Sequence, residues 1–395
     1  MTSDDTYGID TALANVGRDP ERHRGFVNTP IYRGSTVLYP TAESIKTGNV
    51  EYTYGRRATP TTRALEEAMA ELEGGARTFL TPSGLSAVST VLLSYAEAGG
   101  HILIADNVYQ PTRRFAERML RRLGVDVTYY DPLVGSAIAR HFRPETRLVF
   151  TEAPGSQTFE MPDIPAICAA ARGAGIPVAM DNTWATPLYF KAFAHGVNVS
   201  IQAATKYVVG HSDALIGTIT CDNAATPVIA GTHEALGVCA GPEDCFLALR
   251  GLRTMAIRLE RHWASGLEIA AWLQQRREVA RVLHPALPGS PGHDIWRRDF
   301  TGASGLFSIV LKPCTEEAVC AMLNALRLFG MGFSWGGFES LIVPFDASHH
   351  RSATRFEAEG PCLRLHIGLE DVADLKRDLE QGFAALSDAA KPAGS

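Results

Sequence analysis

The sequence predicts an α/β domain around a largely parallel sheet, followed by a smaller α+β domain, and three observations carry that expectation. Between about Thr61 and Gly251, short apolar runs alternate with helix-length amphipathic stretches, the texture of buried strands joined by crossover helices. Beyond Gly251 the order changes to one long helical pattern, then separated strands and two helices. Before Thr61, turn formers such as Pro20, Pro30, Gly34, Pro40, Gly48 and Gly55 interrupt any periodicity. That opening segment reads as an extended arm with short helical pieces. The expected division is therefore 1–60, 61–250 and 251–395.

In the first domain Leu65, Met69 and Leu72 fall at helical spacing, and Gly74-Gly75 stops that helix. The apolar runs that follow lie at residues 78–80, 101–104, 125–127, 148–150, 177–180 and 199–201. Helices are expected between them at 86–95, 111–123 and 164–172. In the second domain one helix is expected at 252–275, strands at 306–311, 341–343 and 363–367, and helices at 315–329 and 371–386. There is no internal repeat, and only the Ala/Pro-rich tail after Asp388 is of low complexity.

Composition narrows the function classes. With 46% hydrophobic and 20% charged residues, the chain has an ordinary globular balance. A formal net charge of -6 gives no reason to expect nucleic acid. Arg113-Arg114 and Arg121-Arg122 fall on one predicted amphipathic helix and read as its solvated face. The start, Met1-Thr2-Ser3-Asp4-Asp5, is polar and acidic, unlike a secretory signal. No apolar run approaches the ~18 residues of a membrane span. The seven cysteines form no C-x-x-C pair. Cys239, Cys245, Cys314 and Cys320 read as reduced, mostly buried thiols, so the expected compartment is the cytoplasm. No metal is expected: the twelve histidines show no zincin pattern, and His349-His350 reads as a polar loop pair.

Ligands of such sheets bind beyond the carboxyl ends of the strands, so the residues just after each apolar run are the candidates. Pro82-Ser83-Gly84-Leu85-Ser86 opens a helix after a strand. Free N–H groups there suit a phosphate, although Pro-Ser-Gly is also a common structural turn. Asp181 ends its run as either a helix cap or a partner for a protonated ring nitrogen, which would keep that ring an electron sink. Lys206 lies about one crossover further on, so both residues reach the same sheet edge. A free lysine is neutral in only about one molecule in a few thousand at pH 7, so a basic Lys206 requires burial beside other positive charge. Tyr109 follows the run at 101–104 and either stacks on a flat ring or packs in the core. Arg364 alternates with apolar residues in a strand; facing inward, it needs a substrate carboxylate or a structural ion pair.

Together these positions resemble the Cys/Met-metabolism (trans-sulfuration) family of pyridoxal-phosphate enzymes, which have the aspartate-aminotransferase-like fold (fold type I). The most specific stretch is Val199-Ser200-Ile201-Gln202-Ala203-Ala204-Thr205-Lys206-Tyr207-Val208-Val209-Gly210-His211-Ser212-Asp213, which is similar to the signature around the family's cofactor lysine. Tyr54-Gly55-Arg56-Arg57, Asp181-Asn182-Thr183-Trp184 and Ser334-Trp335-Gly336-Gly337-Phe338-Glu339-Ser340 match as well, and the likeness runs from about Thr29 to about Ala385. Phe333-Ser334-Trp335-Gly336-Gly337 resembles the aromatic-Ser-Trp-Gly-Gly pattern of the family's β-lyases, and Tyr109-Gln110-Pro111 lacks the Tyr-Gly-Cys or Tyr-Gly-Gly of many γ-lyases. His284-Pro285-Ala286-Leu287-Pro288-Gly289-Ser290 and Arg298-Asp299-Phe300-Thr301-Gly302 look like β-lyase segments too.

The resemblance implies pyridoxal 5'-phosphate and a catalytic Lys206 and Tyr109. Lys206 would carry the cofactor and move protons, Asp181 would pair with its ring nitrogen, and Tyr109 would stack on it. Gly84, Leu85 and Thr205 would hold the phosphate. Tyr54 and Arg56 would complete that site from a neighbouring subunit in a homotetramer, a dimer of dimers. Arg364, Ser334, Trp335, Tyr54 and Arg57 would surround the substrate. The implied reaction is α,β-elimination of L-cystathionine to homocysteine, pyruvate and ammonia in methionine biosynthesis. Cysteine or cystine desulfhydration and γ-elimination or γ-replacement are the alternatives within the family, and a non-catalytic cofactor-binding protein is the remote one. Two departures stand out: Ala203 replaces a serine of many relatives, which removes one phosphate contact, and Arg113-Arg114 lies where the substrate channel should begin, which would favour a distal carboxylate and repel a distal ammonium.

Overall fold

The computed structural model describes residues 7–348 and 351–389. The expectations for the first five residues, for His349-His350 and for the tail beyond Ala389 lie outside the described residues. Seven strands form the larger sheet: β1 Arg77–Thr81, β2 His101–Ala105, β3 Asp126–Tyr130, β4 Thr146–Glu152, β5 Val178–Asp181, β6 Val199–Gln202 and β7 Gly217–Cys221. Their order is β1-β7-β6-β5-β4-β2-β3, and only β7 runs against the rest. The sheet is therefore mostly parallel, as expected. The strand β7 was not foreseen, because Gly217-Thr218-Ile219-Thr220-Cys221 is wholly buried with little apolar content. Its threonines are tolerable inside because Thr78 and Thr220 hydroxyls bond each other at 2.8 Å across the β1–β7 pair.

The second sheet is antiparallel, in the order β10-β11-β9-β8, with β8 Val279–Leu283, β9 Leu306–Leu311, β10 Leu341–Phe345 and β11 Cys362–His366. Strand β8 also escaped the sequence reading; its burial is broken by exposed and half-buried positions. Helices Glu316–Ala325 and Val372–Ala389 pack on this sheet through Met322, Leu379 and Phe383, in one cluster with Phe307, Ile309 and Leu365. A separate core lies around the parallel sheet, with Ile104, Phe150 and Met180. A third joins helix Pro60–Glu73 to helix Pro242–Leu252 through Leu65, Met69, Tyr207 and Leu249. Before it the chain is irregular apart from short helices Ile9–Asn15 and Ala42–Thr47.

Three expectations are corrected. The helix read at 252–275 is two, Pro242–Leu252 and Met255–Leu273, interrupted at Arg253-Thr254. Helices Thr226–Ala235 and His293–Asp299 are further additions. Arg113 does not lie on a solvated face: it is buried, pairs with Asp106 at 2.7 Å and lies 3.6 Å over the Tyr129 ring. Arg121 and Arg122 are exposed, as read. All seven cysteines are free, but Cys239 and Cys320 are exposed rather than buried.

Glu73, the last residue of its helix, is 1% exposed and accepts bonds from Ser200 Oγ (3.0 Å) and Gln202 Nε2 (2.9 Å). Burial pushes its carboxyl up from 4.5 to about 7 despite those bonds. A raised acid costs stability only where the unfolded carboxyl is ionised, so the cost is absent below 4.5, grows as pH rises towards 7, and is complete above it. Glu73→Gln is therefore expected to melt above the wild type at pH 8, by at most on the order of 3 kcal/mol, and beside it at pH 4.5. Equal melting differences at the two pH values would show that Glu73 ionises freely in the fold.

Candidate functional site

One side of the site is built at the carboxyl edge of the parallel sheet, and Ser334, Trp335 and Arg364 reach it from the region of the second sheet. After β1, Ser83 caps helix Gly84–Ser94, its Oγ accepting the Ser86 N–H at 3.1 Å. The first N–H groups of the helix, those of Gly84 and Leu85, have no intrahelical acceptor and face a cavity lined by both residues. Gly84 is required there, because a Cβ would lie 2.4 Å from the Ala203 methyl. Ala203 thus brings the helix end against the segment that carries Lys206. The Thr205 hydroxyl accepts the Ile216 N–H at 2.9 Å and lies 3.2 Å from the Ile216 carbonyl.

Asp181 ends β5, 9% exposed, and accepts the Thr183 N–H (3.0 Å) and hydroxyl (2.5 Å). The same hydroxyl oxygen accepts the Ala203 N–H at 2.8 Å, so Asp181 is oriented from the Lys206 segment. Burial pushes its carboxyl up, against the two Thr183 bonds and the attraction of Lys206. Lys206 donates to Ser334 Oγ at 2.8 Å, and its ammonium lies 5.2 Å from the Trp335 ring. Gly336 adopts φ +86°, and a Cβ there would lie 3.0 Å from the Lys206 backbone, so the Ser334–Gly336 turn packs directly on the lysine. Burial and the Arg364 guanidinium push the amine down to about 8, with Asp181 opposing.

Arg364, in β11, is 9% exposed and donates to the Phe333 and Ser334 carbonyls at 3.0 and 3.2 Å. Among the described residues no carboxylate pairs with it, and burial pulls it down to about 10. That is a guanidinium short of an anion, not half of a structural ion pair. Tyr109 precedes helix Gln110–Phe115 and keeps 45% of its surface exposed beside the cavity, so it is not a core tyrosine. Arg113 is turned away into Asp106, whereas Arg114 is exposed and its charge is felt at the Tyr109 hydroxyl. Neither arginine lines the cavity, and Arg114 reaches it only through its charge at Tyr109.

Lys206, Asp181, Tyr109, Gly84, Leu85, Thr205, Trp335 and Arg364 all line one cavity of about 210 Å³. That is more than ten times the ~10–15 Å³ one water needs. Ser334 joins them through its bond to Lys206. Tyr54, Arg56 and Arg57 do not line it. Arg57 instead pairs with Glu234 at 2.7 Å, and Arg56 acts electrostatically on His233. A wider, open groove between the N-terminal arm and helix Pro60–Glu73 holds none of the expected residues. The cavity also takes Thr183, noted only within the 181–184 match, and Glu152 and Ser156, which the sequence does not single out. Glu152 comes two residues after the apolar run at 148–150, so the rule that found Asp181, extended by one residue, could have found it.

Known proteins resemble the chain along nearly its whole length. The family model described as Cys/Met metabolism PLP-dependent enzyme matches residues 10–384. A Rhizobium johnstonii protein named putative cystathionine beta-lyase is 53% identical over 384 residues, covering 96% of this chain and 97% of that protein. The Escherichia coli cystathionine beta-lyase MetC is 45% identical over 391 residues, covering 96% and 98%. The crystal structure of metB from Corynebacterium glutamicum superposes with a TM-score of 0.90 at 28% identity, covering 96% of this chain and 99% of that one. Pyridoxal phosphate suits the residues present: an amine pushed down to about 8, a buried carboxyl across the cavity, and a helix end kept open by the Gly84–Ala203 contact.

Proposed function

The chain belongs to the family of Cys/Met metabolism PLP-dependent enzymes, and from that premise we propose that it cleaves L-cystathionine by α,β-elimination to homocysteine, pyruvate and ammonia. It is a pyridoxal-phosphate-dependent carbon–sulfur lyase. When bound, the cofactor supplies an aldehyde that captures the substrate amine and a cationic ring that draws electrons from Cα. The rest is the work of this chain. The observation that carries the reading is a lysine amine pushed down to about 8 in one cavity with a carboxylate and an unpaired guanidinium. About one Lys206 in ten is then neutral at pH 7, enough to take the Cα proton and later protonate the departing sulfur. Asp181 would pair with the ring nitrogen, Tyr109 would pack on the ring, and Gly84, Leu85 and Thr205 would hold the phosphate.

Arg364 and Ser334 orient the α-carboxylate, which sets the Cα–H bond towards Lys206. Trp335 shapes the pocket, and Arg114 favours a distal carboxylate. In this reading residues 1–60 reach a neighbouring subunit, 61–250 hold the cofactor, and 251–395 close over it. Tyr54, Arg56 and Arg57 then act in trans, in a cytoplasmic homotetramer. Among the described residues no helix is long and apolar enough to cross a membrane.

The Phe333-Ser334-Trp335-Gly336-Gly337 pattern and the names of the relatives favour β- over γ-elimination. Steady-state rates on cystathionine, cystine and cysteine, with the ketoacid identified, test this. Pyruvate is expected, with the highest kcat/KM on cystathionine. Recovery of 2-oxobutyrate would assign γ-elimination, and a higher kcat/KM on cystine or cysteine would assign desulfhydration.

A further inference from the structure

Asp181 does not stand alone under the cavity. Strand β4 ends at Glu152, and the β4–β5 register sets Glu152 directly beside Asp181. Both side chains line the cavity. Their partners differ. Asp181 receives two hydrogen bonds from Thr183 and the attraction of Lys206. Glu152 receives one bond, from the Tyr109 N–H at 2.7 Å, and among the described residues no cation pairs with it. Two carboxyls this close, served by a single lysine, do not both stay ionised. Glu152 is half-buried and Asp181 buried, but Glu152 has the fewer partners for a negative charge, so it keeps the proton. Burial and the Asp181 charge push Glu152 well above the ordinary carboxyl value, and only the Tyr109 N–H opposes them.

We propose that Glu152 is a positioning residue, held as the neutral acid, that seats the Tyr109 backbone and leaves Asp181 the single anion at this edge of the site. The inference rests on the reading of Asp181 and Tyr109 as ring contacts given above. Tyr109 carries its side chain on the residue just before helix Gln110–Phe115, with no side-chain cap of its own. The carbonyl oxygen of a protonated Glu152 still accepts the Tyr109 N–H, more weakly than a carboxylate would, so the seat survives without the charge. The loop is pinned at its other end by Asp106, whose carboxylate accepts the Ser352, Ala353 and Thr354 N–H groups and pairs with Arg113. A second anion beside Asp181 would draw positive charge onto Lys206 and undo the depression that Arg364 and burial produce. The charged and titratable groups around Glu152 are therefore Asp181 on β5, the Tyr109 phenol, and Lys206 and Arg364 across the cavity.

The test compares holoenzyme of the wild type, Glu152→Gln and Glu152→Ala. In an infrared difference spectrum between wild type and Glu152→Gln at pH 7, the band expected to vanish is the carbonyl stretch of a protonated carboxyl. Loss of a carboxylate stretch instead would overturn the proposal. The visible band of the bound cofactor should titrate in Glu152→Gln within about 0.3 pH units of the wild type, whereas removing an anion would move it by about one unit or more. Glu152→Ala should raise KM about tenfold through a loosened Tyr109, and Glu152→Gln should recover most of that. An unchanged KM in Glu152→Ala would remove the positioning role. If the alanine variant fails to fold, the glutamine variant decides alone. A wild type without a visible band would sink the cofactor-site reading, while the infrared comparison would still report on Glu152.

Discussion

Lys206→Ala is expected to lose the visible absorbance near ~420 nm and at least roughly a thousandfold in elimination rate. Two separate roles meet in this amine. Among the described residues it is the one lysine lining the cavity, so no other lysine among them can anchor an aldehyde there. It is also the group whose surroundings make it a base near neutrality: burial and Arg364 bring it down to about 8, and Ser334 Oγ at 2.8 Å holds it in place. Alanine keeps the backbone, whose turn is packed against Gly336 and bonded from Lys206 N–H to the Ala203 carbonyl at 2.9 Å. The fold should survive and the phosphate cradle with it, so the variant should still bind pyridoxal phosphate reversibly, which equilibrium dialysis measures. A variant with the full visible band and wild-type kcat would place the chemistry on another residue.

Much of this was legible because strand ends are legible. Short apolar runs located β1 to β6, and the polar residues beyond the runs at 177–180 and 199–201 placed Asp181 and Lys206 at one edge. What stayed hidden had physical reasons. In β7 threonines satisfy one another inside the sheet, so burial leaves no apolar signature. Arg113 looked like a solvated charge because the carboxylate that neutralises it, Asp106, lies seven residues earlier, just past β2, off the helical i±3 and i±4 spacings. Glu152 escaped because Thr151 stands between it and its apolar run, whereas Asp181 follows its run directly. The partition of the arginines around the site, with Arg364 inside and Arg56 and Arg57 outside, depends on tertiary approach that spacing does not encode.

That partition leads to the second large effect. Mixing Lys206→Ala with Arg56→Ala subunits should restore activity to two inactive parents. Gly84, Leu85 and Thr205, which would hold the phosphate, line the cavity, and among the described residues its only lining cations, Lys206 and Arg364, are engaged with Ser334 and the 333–334 carbonyls. A phosphate dianion held by N–H groups and a hydroxyl alone lacks the cation that usually accompanies it. Arg56 in its own chain does not reach this place, and its segment lies on an arm that packs loosely, with Phe26, Leu38 and Tyr54 exposed. The same arm on a neighbouring subunit would supply the missing charge. In a hybrid dimer one site then combines an intact Lys206 with an intact Arg56, and the other has neither. Random reassortment gives half hybrids with one good site of two, so the mixture should recover about a quarter of wild-type activity. Hybrids isolated by differential tags and still inactive would mean that each chain builds its site unaided.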